Sequence, residues 1–131
     1  MKILFLCTGN AYRSPLAEAL LKKLRPDLTV DSAGLNVAIP IPKQVRDYLR
    51  EHNAVDFLKA FPESIEEKAL RTFDLIVAME SRHKQAVLSN CPDCEERIVV
   101  WNIKDPYWEE EAAERIFVQI EKKVKELAES I

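Results

Sequence analysis

The chain has 131 residues and 47% hydrophobic content, a size that forms one domain over residues 1–131 with a true buried core. Its net charge of −3 comes without a concentrated basic face, which argues against nucleic acid as a partner. No apolar run approaches the roughly 18 residues of a membrane span; Met1-Lys2 leads straight into a strand with no room for a secretory leader, and three cysteines, an odd number, fit a reducing compartment, so the sequence reads as cytoplasmic with no membrane partner.

The first predicted element is a buried strand, Ile3-Leu4-Phe5-Leu6. The tight loop Cys7-Thr8-Gly9-Asn10-Ala11-Tyr12-Arg13-Ser14 follows, with Ser14 as the expected N-cap and Pro15 as the first residue of a helix reaching about residue 24. Leu16, Leu20, Leu21 and Leu24 share one face of that helix and should pack on a sheet. Residues 28–33 read as a second strand, short and partly exposed. A loop over 34–42 leads to a helix with Val45, Tyr48 and Leu49 as apolar positions and His52 as a further candidate. Residues 53–62 are irregular. Ser64-Ile65-Glu66-Glu67 fits a capping box that opens a short helix ending near Arg71.

Leu75-Ile76-Val77-Ala78-Met79 is almost purely apolar, as in a central parallel strand covered on both faces. Ser81 should cap the next helix, which runs to about residue 89. Cys91-Pro92-Asp93-Cys94 then precedes a strand over 97–101, a loop over 102–108 and a last helix over 109–128. Ile116, Ile120, Val124 and Leu127 form the buried stripe of that helix, and its first turn is acidic. Strands alternating with helices predict an α/β three-layer sandwich on a parallel sheet. Ligands of such sheets bind beyond the carboxyl ends of the strands. Cys7, Ser32 to Gly34, Glu80-Ser81 and Asn102 to Asp105 all lie just past strand ends, on one rim. Gly9 and Gly34 are the only glycines in the chain. Both follow predicted strands, and each either meets a backbone demand, a positive φ or a close approach, or makes a tight strand exit.

The loop from Cys7 to Ser14 feeds a helix N-terminus, where N–H groups lack partners within the helix and the dipole is positive. That end suits a dianion such as phosphate. Arg13 offers a planar fork for two oxygens. A thiol facing such donors favours its nucleophilic thiolate form. A cysteine that closes a buried strand is more often a small core residue. The added Gly9, Arg13 and Ser-Pro start at matching spacing favour chemistry on phosphorus.

These residues, with Asp31-Ser32-Ala33-Gly34, the run Phe73-Asp74-Leu75-Ile76-Val77-Ala78-Met79-Glu80 and Asp105-Pro106-Tyr107, resemble the low-molecular-weight protein tyrosine phosphatases over most of the chain. The resemblance implies a four-stranded sheet in order 2-1-3-4 and hydrolysis through a phosphocysteine intermediate without metal or other cofactor. Cys7 would be the nucleophile. Arg13 and the amides of Thr8, Gly9, Asn10, Ala11, Tyr12 and Arg13 would hold the phosphoryl oxygens. Asp105 would be general acid and then base, the alternative being that Asp-Pro only starts a turn. Ser14 would aim its hydroxyl at the sulfur, and Asn10 and Ser32 would brace the loop. Substrates would be phosphotyrosine proteins or aryl phosphates, with inorganic phosphate as product. Tyr107 and Trp108 would form one wall of a slot for the aryl group, unless they pack into the core. Residues 35–39 would form the other wall, where Asn36 and Val37 stand in place of an aromatic that relatives often carry.

Position 12 departs from the family pattern: many relatives carry a second cysteine there, and this chain has Tyr12. Cys91 and Cys94 precede the fourth strand and so lie about 20 Å from the rim. A labile disulfide, half a metal site, a stabilising disulfide and surface thiols are all readings of this pair, the last two preferred. Rival functions are a thioredoxin-coupled arsenate reductase, a phosphoarginine phosphatase and a non-catalytic phosphate-binding module. The first needs resolving cysteines where Glu80-Ser81-Arg82-His83 stands, and relatives of the second tend to carry threonine at the place of Ala11. His52 and His83 are expected as exposed or half-buried helix residues without a catalytic part.

Overall fold

The computed structural model describes residues 1–131, the side chain of Glu110 excepted. The run from Ile3 to Leu6 has no exposed surface, and it forms the inner strand β1, Lys2–Cys7. Its side chains alternate between two cores, as the period of a strand requires. Ile3, Phe5 and Cys7 join one cluster, while Leu4 and Leu6 join the other.

Three further strands flank it: β2 (Thr29–Gly34), β3 (Leu75–Ala78) and β4 (Ile98–Val100). All pairings are parallel, in the order β2-β1-β3-β4, as expected. The helices are α1 (Arg13–Leu24), α2 (Lys43–Glu51), α3 (Ser81–Asn90) and α4 (Ala113–Ser130). The apolar faces of α1, α2 and α4 pack on the Ile3–Phe5 side, and α3 supplies Val87 to the other. Among the described residues no helix is long and apolar enough to cross a membrane.

Several boundaries differ from the sequence reading. Helix α1 begins at Arg13 with Tyr12 as its N-cap, so Ser14 is inside the helix and caps nothing. The hydroxyl of Ser14 is engaged by Cys7 and Asn10 instead. Pro15 remains within the first turn, where its missing N–H has no helical partner to lose. Leu24 is 43% exposed and leaves the packed face. The capping box of Ser64 and Glu67 is present, but it opens a 3₁₀ turn, Ile65–Glu67, and a second turn, Leu70–Thr72, follows separately. The cap of α3 is Glu80 rather than Ser81, in a reciprocal pair with His83. Two 3₁₀ turns, Pro106–Trp108 and Glu110–Ala112, occupy the chain before α4, which therefore starts later than its acidic residues suggested. Another, Pro92–Arg97, shortens β4, and it contains Cys94, disulfide-bonded to Cys91. Both sulfur-bearing residues are buried, which removes the reading as surface thiols.

Two glycines suffice because the three left-handed backbone positions are asparagines: Asn10, Asn53 and Asn102. Gly34 answers a different need. A Cβ there would lie 2.7 Å from the Asn10 nitrogen and 2.8 Å from the Thr8 carbonyl oxygen. Gly9 has neither a positive φ nor a crowded Cβ position, its nearest neighbour being 3.8 Å away.

Candidate active site

Cys7 ends β1 almost fully buried, with Sγ 2.9 Å from Ser14 Oγ. Asn10 stands above it at φ 52° and donates from Nδ2 to Ser14 Oγ (2.7 Å) and Ser32 Oγ (2.9 Å). With Asn10 donating to its oxygen, the Ser14 hydroxyl has its own proton to give, with the sulfur at 2.9 Å as the nearer acceptor and the Ala33 carbonyl at 3.5 Å as the farther one. Ser32 in turn donates to the buried carboxylate of Glu18 at 2.5 Å.

Lys59 reaches into the same group of side chains. Its Nζ donates to Asn10 Oδ1 (3.0 Å), the Ser32 carbonyl (2.8 Å) and Glu63 Oε1 (2.7 Å). Nothing in the sequence marked Lys59, which sits in an irregular stretch without periodicity. Glu18 belongs to the Pro15-Leu16-Ala17-Glu18 run that continues the family-like loop, but its spacing within a helix gave no sign of the contact with Ser32.

Among the described residues Arg13 is the largest of the side chains with almost no exposed surface. A buried guanidinium requires charge and hydrogen-bond partners on its own scale. Nη1 donates to Glu80 Oε2 (2.5 Å) and to the Ile103 carbonyl (2.7 Å); Nη2 donates to Thr8 Oγ1 (3.3 Å) and lies 3.5 Å from Asp105 Oδ2. The end of β3 and the segment after β4 thus fix the guanidinium from both sides. Burial alone would raise the Glu80 carboxyl, but hydrogen bonds from Arg13 and Arg82 outweigh it and hold the group below the usual carboxylate range.

Thr8 Oγ1 also meets Arg82 Nη2 at 2.6 Å and His83 Nε2 at 3.1 Å. His83 is completely buried, contrary to the expectation of an exposed or half-buried residue. Burial first, then the nearby Arg13 and Arg82 charges against the opposing Glu80, push its pKa down to about 4. Its i to i+3 spacing from Glu80 was the available signal for this contact.

Asp105 Oδ1 accepts from the Tyr107 N–H at 3.0 Å, so the aspartate does start a turn while its other oxygen faces Arg13. A cavity of about 280 Å³ adjoins the loop, lined by Thr8, Gly9, Ala11, Arg82 and Asp105 together with Asn36, Ala38, Ile39, Tyr107 and Trp108. Trp108 is 81% exposed and Tyr107 half exposed, which excludes the core-packing reading for both. Tyr107 meets Tyr12 edge-on with centroids 6.5 Å apart. Val37, expected in the wall beside Asn36, points out to solvent and does not line the cavity; Ala38 and Ile39 take its place. Among the described residues no three His, Cys, Asp or Glu side chains are grouped to hold a metal ion.

Asp105 lines this cavity, the Arg13 guanidinium adjoins Asp105 at 3.5 Å, and Cys7 directly precedes the cavity-lining Thr8 and Gly9, a set of groups suited to attack on an oxyanion ester. The model of the family described as low molecular weight phosphotyrosine protein phosphatase matches residues 2–131. The low molecular weight protein-tyrosine-phosphatase Wzb of Salmonella typhi is 32% identical, over 99% of this chain and 93% of that protein. The structure of Vibrio vulnificus Wzb in complex with benzylphosphonate is 27% identical with a TM-score of 0.86, over 99% of this chain and 98% of that one. The YwlE arginine phosphatase from Geobacillus stearothermophilus is 26% identical with a TM-score of 0.85, over 98% and 91%. With its sheet order, its loop and a match from end to end, the chain belongs to the low molecular weight phosphotyrosine protein phosphatase family and is a phosphatase of that class.

Proposed function

We propose that the protein hydrolyses phosphotyrosine-type monoesters through a phosphocysteine formed on Cys7. The sulfur attacks phosphorus as the ester P–O bond breaks, and Asp105 in its protonated form gives its proton to the departing phenolic oxygen. The carboxylate so formed then takes a proton from water as that water attacks phosphorus, releasing inorganic phosphate and the Cys7 thiolate. Arg13 and the amides of Thr8, Gly9, Asn10, Ala11 and Tyr12 hold the non-bridging oxygens through both steps. Ser14 stabilises the sulfur as attacker and leaving group, and Asn10 and Ser32 keep the loop in shape. The carrying observation is the 3.5 Å approach of Arg13 Nη2 to Asp105 Oδ2, which ties the buried clamp to the acid that lines the cavity beside Thr8 and Gly9.

The substrate preference follows from the walls. Tyr107, Trp108 and Ile39 favour a flat aryl group over a short aliphatic phosphoester. The likeness to an arginine phosphatase makes phosphoarginine the second substrate to compare. The Arg82 guanidinium and the apolar Ala11, which both line the cavity, oppose a cationic leaving group. Arsenate reduction needs a second thiol close to the first, and Cys91 and Cys94 are joined to each other.

Cys7→Ser is expected to abolish turnover of aryl phosphates, and rapid-quench labelling of the wild type should place phosphate on Cys7. Asp105→Asn should lower kcat by roughly 10²–10³, most for poor leaving groups. An equal loss for all leaving groups would remove Asp105 from the acid role.

A further inference from the structure

We propose that the Thr8 hydroxyl is an additional hydrogen-bond donor to a non-bridging phosphoryl oxygen of the substrate, and that His83 is the residue that positions it. This rests on the phosphatase reading above and extends it to two side chains to which that reading gave no part.

The argument starts from His83, which is buried at the first turn of α3. The Glu80 backbone N–H donates to its Nδ1 at 3.0 Å. A ring nitrogen that accepts carries no proton, so the proton of the neutral ring sits on Nε2. Nε2 is therefore the donor in the 3.1 Å contact with Thr8 Oγ1. The depressed pKa of the ring agrees with this assignment, since protonating Nδ1 would set two N–H groups against each other.

Thr8 Oγ1 then accepts from three directions: His83 Nε2, Arg82 Nη2 at 2.6 Å and, more weakly, Arg13 Nη2 at 3.3 Å. A hydroxyl oxygen has two lone pairs and one proton. With the oxygen saturated by N–H donors, the hydroxyl can act toward a further partner only by donating. Thr8 lines the cavity together with Gly9 and Asp105, and it touches the guanidinium proposed to clamp phosphate. A phosphoryl oxygen held by Arg13 is thus within the reach of this proton. The donors behind it also polarise the O–H bond, which strengthens what it gives to an anion.

The tests separate this role from simple support of the loop. Thr8→Val keeps the shape and removes the proton. It should lower kcat/KM for aryl phosphates roughly ten- to hundredfold and weaken inhibition by inorganic phosphate to a similar degree, as for one hydrogen bond to a charged group. The loss should be the same for good and poor leaving groups, in contrast to Asp105→Asn, because a non-bridging oxygen is concerned. Thr8→Ser should restore most of it. For His83, Asn retains an acceptor near Nδ1 but loses the donor at Nε2, whereas Gln supplies an N–H near Nε2. His83→Asn should therefore lower kcat/KM and His83→Gln should recover it, with melting temperatures followed for both. In the Thr8→Val background, His83→Asn should add no further loss. Unchanged kcat/KM and phosphate inhibition in Thr8→Val overturn the proposal, as do additive losses in the double variant or failure of Gln to recover activity. Should Thr8→Val not fold, the Asn and Gln pair decides alone. An active Cys7→Ser would defeat the underlying reading; an inactive Cys7→Ser beside a fully active Thr8→Val would defeat only this one.

Discussion

Asn10 combines a strained backbone with the densest set of side-chain hydrogen bonds in the loop. Its φ of 52° lies in the left-handed region, and its amide serves Ser14, Ser32, Lys59 and the Glu63 N–H. Asparagine accepts that backbone more readily than other residues with a Cβ. Asn10→Ala removes the hydrogen bonds and keeps the strain, and is expected to cost about 3 kcal/mol in urea unfolding. Asn10→Gly removes only the hydrogen bonds, so it should be the more stable of the two by about 1 kcal/mol. Equal stability of the variants would mean that the left-handed backbone carries no penalty here. The same amide orients the Ser14 hydroxyl toward Cys7, so both variants should also lose turnover.

At the level of elements, the loop is clasped between β1 and the end of β2. Gly34 is the point of contact, with the Thr8, Gly9 and Asn10 backbone against the place of its missing side chain. Backbone cannot rotate away as a side chain can. Gly34→Ala should therefore displace the loop, destabilising the protein by about 1–3 kcal/mol and reducing activity more than stability alone would explain. Unchanged kcat and melting temperature would show that the loop can shift freely. This demand was half legible: the glycine count drew attention to Gly9 and Gly34, but only Gly34 is crowded. The strands were legible because contiguous apolar runs encode them, and their order because the family resemblance implied it; the approach of Arg13 to Asp105 followed from placing both just past strand ends on one rim. The helix starts were less so. Ser14 and Ser81 are good capping residues in isolation, yet Ser14 is drawn to the sulfur and Glu80 takes the cap that Ser81 was expected to fill. Lys59 and Glu18 gain their meaning only from partners far away in the chain, which no local pattern reveals, and the spacing of His83 from Glu80 signals its cap but not its contact with Thr8.

For the molecule as a whole, acid is the weak side. The unfolded chain takes up a proton on His83 near pH 6.5, while the folded protein does so only near about 4. Between these values the unfolded state binds more protons, so stability falls as pH falls through the window. The ring faces Glu80, Arg82 and Arg13, and burial adds to the two cations. The loss from this residue is about 3 kcal/mol by pH 4. Glu80, whose carboxyl is lowered, contributes stability above its unfolded value and loses it only as pH falls below that value toward the folded one. Melting temperatures from pH 7 to 4 should fall steeply for wild type and less so for His83→Gln; parallel curves would exclude His83 as a cause. A last consequence concerns oxidants. Cys7 is the one free cysteine among the described residues, and Tyr12 stands where many relatives offer a second sulfur. A sulfenic acid formed on Cys7 by peroxide has no thiol of the described chain with which to condense, so its rescue falls to an external thiol, and further peroxide carries it on to the sulfinic state, from which ordinary reductants do not return it.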